Sequence, residues 1–255
     1  MTNTQRKIFV ILPAYNERDT LPKLLARIDF IYRDFQLPFV VLVVNDGSTD
    51  DTLQVAEKSK SELELPIEIL DLQPNRGLAG AVKEGLFAAV NKSQHPEDII
   101  VAMDADNTHT PGLIMRMTRK IFEGYDVVIA SRYQRGARVV GLTWFRKLLS
   151  LGASAIFRIM APVTGVKDYT CGYRAYRSEI LKKAFEEYEE NFIKQTGFGC
   201  MVEILLRLNK FNPVVGEVPL ILRYDYKEGV SKMKVARTVR QTLALLFNYR
   251  FKSNW

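Results

Sequence analysis

Asp104 and Asp106 stand one residue apart at the end of an unbroken apolar run, Ile99-Ile-Val-Ala-Met103, with Asn107, Thr108 and His109 directly behind them. Two carboxylates and neutral oxygens in so short a stretch make a hard, oxygen-rich patch of the kind that Mg2+ or Mn2+ takes. The same spacing also suits a plain polar turn, because Asp forms turns readily. The choice therefore rests on what else gathers there. Three more polar clusters close apolar runs in the same way: Pro13-Ala-Tyr-Asn-Glu17, Asn45-Asp-Gly-Ser-Thr-Asp50 and Asn75-Arg-Gly77. Neither a Gly-x-Gly-x-x-Gly behind the first run nor a Gly-x-x-x-x-Gly-Lys-Ser/Thr is present. A ligand held here is held through carboxylates and a cation, a pairing that suits a diphosphate whose leaving charge must be neutralised.

The elements that must position these groups follow from periodicity. Ile8–Leu12, Phe39–Val44 and Ile99–Met103 are short and continuously apolar, as strands buried on both faces are, and Ile67–Leu72 and Asp126–Ala130 read as further mainly apolar strands. Between them, Leu21, Leu24, Leu25, Ile28, Ile31 and Phe35 repeat at helical spacing. Further helices are expected from Asp51 to about Lys60, to about Val90, and from Pro111 to Glu123, the last with Thr110 as N-cap. This alternation predicts an α/β fold with a mostly parallel sheet sandwiched by helices. The polar clusters all follow strands, so they converge on one edge of that sheet, where ligands bind in such folds. Beyond Ser131 the spacing predicts a basic amphipathic helix over Thr143–Met160, a loop and short strand over Asp168–Tyr176, a helix over Gly199–Leu208, a strand over Val214–Tyr224 and a second basic helix over Val235–Phe247.

With 255 residues, 47% hydrophobic and 25% charged, the chain has the make-up of an ordinary globular protein. Two cysteines, Cys171 and Cys200, are too few for a disulfide framework or a zinc cluster and read as packing residues in a reducing compartment. The polar N-terminal residues run straight into the first strand and do not read as a signal peptide. The longest apolar run, Leu148–Phe157, falls short of the roughly 20 residues that span a bilayer. The net charge of +7 is unevenly spread. Val127–Lys167 holds seven basic residues and Gly229–Trp255 six, with no acid in either; the remainder has 23 basic against 29 acidic residues. Nucleic acid, a phosphate-bearing substrate or an anionic membrane would each attract such segments. Interleaved Leu, Ile, Phe and Trp favour the membrane.

Taken in order, the clusters at 13–17, 45–50, 75–77 and 104–106 resemble the motifs of the family 2 glycosyltransferases, which have the GT-A fold. Ser131-Arg-Tyr133, Cys171-Gly-Tyr-Arg-Ala-Tyr176, Glu217-Val-Pro219 and Gly229-Val-Ser-Lys-Met233 narrow the resemblance to the dolichol-phosphate mannose synthases and related polyprenyl-phosphate glycosyltransferases, over about residues 6 to 235. The resemblance implies one GT-A catalytic domain over 1–255, with a nucleotide-sugar half at about 6–130 and an acceptor half at about 131–255 carrying membrane-surface helices. It implies that Pro13, Ala14, Tyr15, Glu17, Val44 and Asp46 hold the base and ribose, and that Asp104, Ala105 and Asp106 face the rest of the nucleotide sugar. Asp104, Asp106 and Thr108 would hold Mg2+ or Mn2+, and Arg132, Arg146, Ser150 and Lys232 would meet the acceptor phosphate. Asp104, Asp106, Arg132 and Arg146 form the expected catalytic set.

The implied reaction is metal-dependent, inverting transfer of a hexose, first of all mannose from GDP-mannose, to a polyprenyl or dolichyl phosphate. A lipid monophosphate is already anionic, so in-line attack on C1 needs positioning and leaving-group stabilisation rather than a general base. The implied setting is the cytoplasmic face of a membrane, reached by peripheral docking or through a membrane-anchoring partner protein. The rival readings are a UDP-glucose donor or a glycan acceptor and, of another class, a non-catalytic nucleotide-sugar or nucleic-acid binder; no nucleic-acid motif is present. Three positions depart from the pattern: Asn45 stands for a usual Asp, Thr108 for a frequent Gln, and Tyr226 for a frequent Arg that Arg223 or Lys227 would replace.

Overall fold

The structure is a computed structural model that describes residues 6–140, 156–223 and 244–251. Its first part alternates strand and helix: β1 (Ile8–Ala14), α1 (Leu21–Phe35), β2 (Phe39–Asp46), α2 (Thr52–Glu62), β3 (Ile67–Leu72), α3 (Gly77–Lys92), β4 (Ile99–Ala102), α4 (Leu113–Phe122) and β5 (Val127–Ser131). Then follow β6 (Arg138–Val140), β7 (Arg174–Arg177), α5 (Ser178–Tyr188), a 3-10 turn at Glu189–Asn191, α6 (Gly199–Asn209), β8 (Val215–Pro219) and β9 (Ile221–Arg223).

Seven strands form the main sheet in the order β3-β2-β1-β4-β7-β5-β8. Every pair is parallel except the two made by β7. The expected helix-covered, mostly parallel architecture is therefore present, with one reversed strand inside it. Because β7 opposes both neighbours, β4 and β5 run the same way, and the C-terminal ends of β1, β2, β4 and β5 share one edge. β1, β4 and β5 bury nearly every residue, as strands covered on both faces must. The cover on one side is close: a Cβ at Gly85 of α3 would lie 2.4 Å from Ile11 Cγ2.

Three details differ from the sequence reading. The strand expected over Val214–Tyr224 breaks after Pro219, which lacks an N–H for the ladder; β8 lies beside β5, whereas β9 pairs with β6 in a separate two-stranded sheet. Thr110 does not cap α4, since the helix starts after Gly112 and the Thr110 hydroxyl faces the Ile221 carbonyl at 3.5 Å. Helix α5 was not expected, although Ile180, Leu181, Ala184 and Phe185 bury one face at helical spacing. Of the two basic helices, 156–160 and 244–251 are described, and both are helical. Among the described residues no helix is long and apolar enough to cross a membrane.

Candidate active site

The loops after β1 and β2 are sewn together by side chains. Asn16 takes a left-handed conformation (φ 53°) and accepts the Thr49 N–H at 2.8 Å, while its own N–H donates to Ser48 Oγ at 3.0 Å. The Glu17 N–H donates to Thr52 Oγ1 (2.8 Å), and the Glu17 carboxylate accepts the Thr20 hydroxyl (2.7 Å). Asp46 is buried at the end of β2, where its Oδ1 accepts the Arg76 N–H at 2.7 Å and its carbonyl accepts Asn75 Nδ2 at 2.6 Å. Gly47 makes that closure fit: its φ is +60°, and a Cβ there would lie 2.8 Å from Asn75 N. Tyr15 is exposed at the rim, Pro13 is half-buried, and Ala14 and Ala105 are buried beneath. Val44 is wholly buried against α3, so its side chain belongs to the sheet under the cleft. Asn45 donates to Asp71 Oδ1 at 2.6 Å; an Asp there would face a second carboxylate.

After β4 the chain makes a tight loop around the acidic pair. Asp106 Oδ1 accepts both the Thr108 N–H (3.2 Å) and its hydroxyl (2.6 Å). Thr108 is only 3% exposed, so this hydroxyl orients Asp106 from below. Asn107 is left-handed (φ 59°) and accepts Arg27 Nη1 of α1 at 2.5 Å. The Asp104 N–H donates to His109 Nδ1 at 3.3 Å. From the far side the loop is fastened to β9 by the Arg223 N–H on the Thr108 carbonyl (3.0 Å) and by a bridge between His109 and Leu222. Gly172, ahead of β7, lies so close that a Cβ would be 3.7 Å from Asp104 Oδ1. No group of three or more His, Cys, Asp or Glu side chains that could cage a metal occurs among the described residues.

Arg132 follows β5 on the same edge and is clamped by Asp168. Nε donates to Asp168 Oδ2 (2.8 Å), Nη2 to Oδ1 (2.7 Å) and to Thr170 Oγ1 (2.5 Å), and the Arg132 N–H adds a fourth bond at 3.0 Å. Asp168 is 0% exposed. Burial alone would raise its carboxyl, but the hydrogen bonds and charge of Arg132 outweigh this and hold it below the usual carboxylate range. Burial would likewise lower the guanidinium, and the Asp168 contacts raise it instead. The Asp168 and Lys167 N–H groups both donate to Glu217 Oε1, at 2.8 and 2.6 Å. Arg174, fully buried, ties Tyr169, Cys171 and Met201 carbonyls together at 2.7, 2.8 and 2.7 Å.

The structure thus gathers Pro13, Tyr15, Glu17, Asp46, Asp104, Asp106, Thr108 and Arg132 at one strand edge. Arg146, Ser150 and Lys232 lie outside the described residues. Sequence reasoning missed Arg27, Asp168 and Tyr173 as supports of the site. Asp168 left one trace: it is the acid that ends the acid-free stretch from Val127. Cys171 and Cys200 are buried packing residues, and burial pushes both thiols up to about 12. The described parts of the two basic segments, 156–160 and 244–251, bury Phe157, Leu245 and Leu246 yet leave Ile159 80% and Phe251 66% exposed, with Arg158 and Arg250 exposed beside them.

Comparison with known proteins gives a consistent picture. The family model described as "Glycosyl transferase family 2" matches residues 9–185. The chain is 35% identical over 229 residues to a dolichol-phosphate mannosyltransferase of Pyrococcus furiosus, covering 89% of this chain and 59% of that one. It is 31% identical over 230 residues to a polyprenol monophosphomannose synthase of Mycolicibacterium smegmatis, covering 90% of this chain and 82% of that one. Among solved structures, it resembles the glucosyl-3-phosphoglycerate synthase of Mycobacterium tuberculosis, crystallised with Mn2+, UDP-glucose and phosphoglyceric acid. The TM-score is 0.66 at 21% identity, with 96% of this chain and 79% of that chain covered, a likeness of fold.

Proposed function

The chain belongs to glycosyltransferase family 2 and has the GT-A fold, and on that premise we propose that it moves a hexose from a nucleoside diphosphate to a polyprenyl phosphate, with mannose from GDP-mannose as the donor. The observation that carries this reading is the convergence of Asp46, the Asp104–Asp106 loop and the clamped Arg132 on one strand edge. It is supported by identity of about a third to two lipid-phosphate mannosyltransferases.

Asp104 and Asp106, oriented by Thr108, are the residues that would hold Mg2+ or Mn2+. A carboxylate pair suits a cation that completes its shell with diphosphate oxygens and water. When bound, such an ion offsets the charge of the departing diphosphate. The chain's own groups do the rest. Asp46, with Tyr15, Glu17 and the floor of Pro13, Ala14, Val44 and Ala105, takes the nucleoside. Arg132, with Arg146, Ser150 and Lys232, aligns the acceptor phosphate behind C1. That phosphate is already an anion, so no side chain has to take a proton, and in-line attack inverts the anomeric carbon. Residues of about 6–130 serve the donor and about 131–255 the acceptor within one catalytic domain. The exposed Ile159, Phe247 and Phe251, with Arg158 and Arg250, rest on the cytoplasmic face of a membrane, directly or beside an anchoring partner.

The test is a donor screen with polyprenyl phosphate, Mg2+ or Mn2+, and a panel of GDP- and UDP-sugars. GDP-mannose should be consumed to give a mannosyl lipid. Asp106→Asn should cut turnover about 100-fold or more at unchanged Tm. If no donor is turned over or hydrolysed, the reading fails; turnover of UDP-glucose alone would replace the base and sugar.

A further inference from the structure

His109 has no part in the chemistry proposed above, yet it is built into the loop that carries the acidic pair. Its ring is 4% exposed and stacks on Tyr173, with centroids 4.9 Å apart and planes inclined by 24°. The Tyr173 hydroxyl in turn donates to the Thr110 carbonyl at 3.1 Å. Neighbouring N–H groups are already spoken for: Met103 donates to the Ile11 carbonyl of β1 at 3.1 Å. One residue later the strand has ended, and the Asp104 N–H meets a side chain instead, His109 Nδ1 at 3.3 Å. Nε2 of the same ring lies 3.9 Å from Asp104 Oδ2. One imidazole therefore holds the backbone of Asp104 by a hydrogen bond and lies beside its carboxylate.

We propose that His109 is a positioning residue for Asp104: it fixes the amide through Nδ1, keeps the ring beside the carboxylate, and so sets the direction in which Asp104 faces a divalent cation. The proposal rests on the reading of Asp104 and Asp106 as the cation- and diphosphate-binding pair. The alternative is a role in filling space against Tyr173. The two roles demand different replacements. Asn sets an acceptor where Nδ1 was, Gln sets its amide nearer the place of Nε2, and Phe keeps the flat ring while losing both nitrogens.

The experiment measures Mn2+ binding by electron paramagnetic resonance in the presence of GDP or UDP, on the wild type and on His109→Asn, His109→Gln and His109→Phe, with Tm recorded for each. His109→Phe should keep a Tm close to that of the wild type and bind Mn2+ about tenfold or more weakly, as loss of an outer-shell partner does. His109→Asn should recover most of that loss, and His109→Gln less of it. The proposal is overturned if His109→Phe binds Mn2+ as the wild type does, or if Asn rescues no better than Gln. The Asn and Gln comparison decides the matter even if His109→Phe fails to fold. A wild type that binds no Mn2+ with either nucleotide would overturn the cation reading itself, and this role with it.

Discussion

A guanidinium locked onto a buried carboxylate keeps its direction when a charged ligand arrives, because little side-chain freedom remains to be lost. Arg132 is held this way by Asp168, which is itself fixed by N–H donors from Thr170 and Cys171 at 3.3 and 3.1 Å. The expected cost of breaking the pair from the carboxylate side is large: Asp168→Asn should lower stability by about 3–5 kcal/mol, read from urea or thermal unfolding. The sign of its pH dependence follows from the depressed carboxyl. Such a group contributes fully above the ordinary carboxylate pKa of about 4 and loses its contribution as pH falls from there through the lower folded value. The gap between wild type and Asp168→Asn should therefore narrow below about pH 4; a gap that widens on acidification would contradict the assignment. At this scale the sequence was legible where a motif is local, as in Asp104-Ala-Asp106. It was silent where the partner is remote: Arg27 and Asn107 are 80 residues apart, and no spacing rule links them.

At the scale of elements, α3 shows how little room the cleft floor has. Replacing Gly85 with Ala should raise helix propensity by about 1 kcal/mol, but the new methyl would press on Ile11 and Val44 of β1 and β2. Overpacking of this kind costs about 1–3 kcal/mol, so Gly85→Ala should be destabilising or at best neutral in urea unfolding, and a clear gain in stability would refute the close-contact argument. Buried strands were legible as short apolar runs and amphipathic helices by their period. Strand β7 was harder to place: Arg174–Arg177 has only four residues, and its antiparallel insertion between β4 and β5 is dictated by pairing. The break at Pro219 was legible in principle, since proline cannot extend a ladder; the apolar run on either side of it masked the signal. Helix α5 carries the same helical period in Ile180, Leu181, Ala184 and Phe185.

For the whole molecule, charge and exposed apolar surface coincide on 156–160 and 244–251, where Ile159, Phe247 and Phe251 stand exposed with Arg158 and Arg250. The protein should sediment with anionic phospholipid vesicles more than with neutral ones, less so at high salt, since each basic residue near such a surface is worth about 1 kcal/mol. Ile159→Asp together with Phe251→Asp should release it while leaving Tm unchanged; undiminished vesicle binding by that double variant would dismiss this face as the contact. The sheet's strand order has a different consequence, one for biosynthesis. β4 has β1 on one side from the moment it emerges, but its other neighbour, β7, is made about seventy residues later. Until then the nascent chain carries a bare apolar strand edge in the middle of its future sheet, the kind of surface that chaperones cover and that aggregation exploits. The segment that shelters it, reaching from Asp168 through β7, is the one that also grips Arg132 and lies against Asp104. Filling the gap between β4 and β5 and setting Arg132 against the Asp104 loop thus depend on the same late segment.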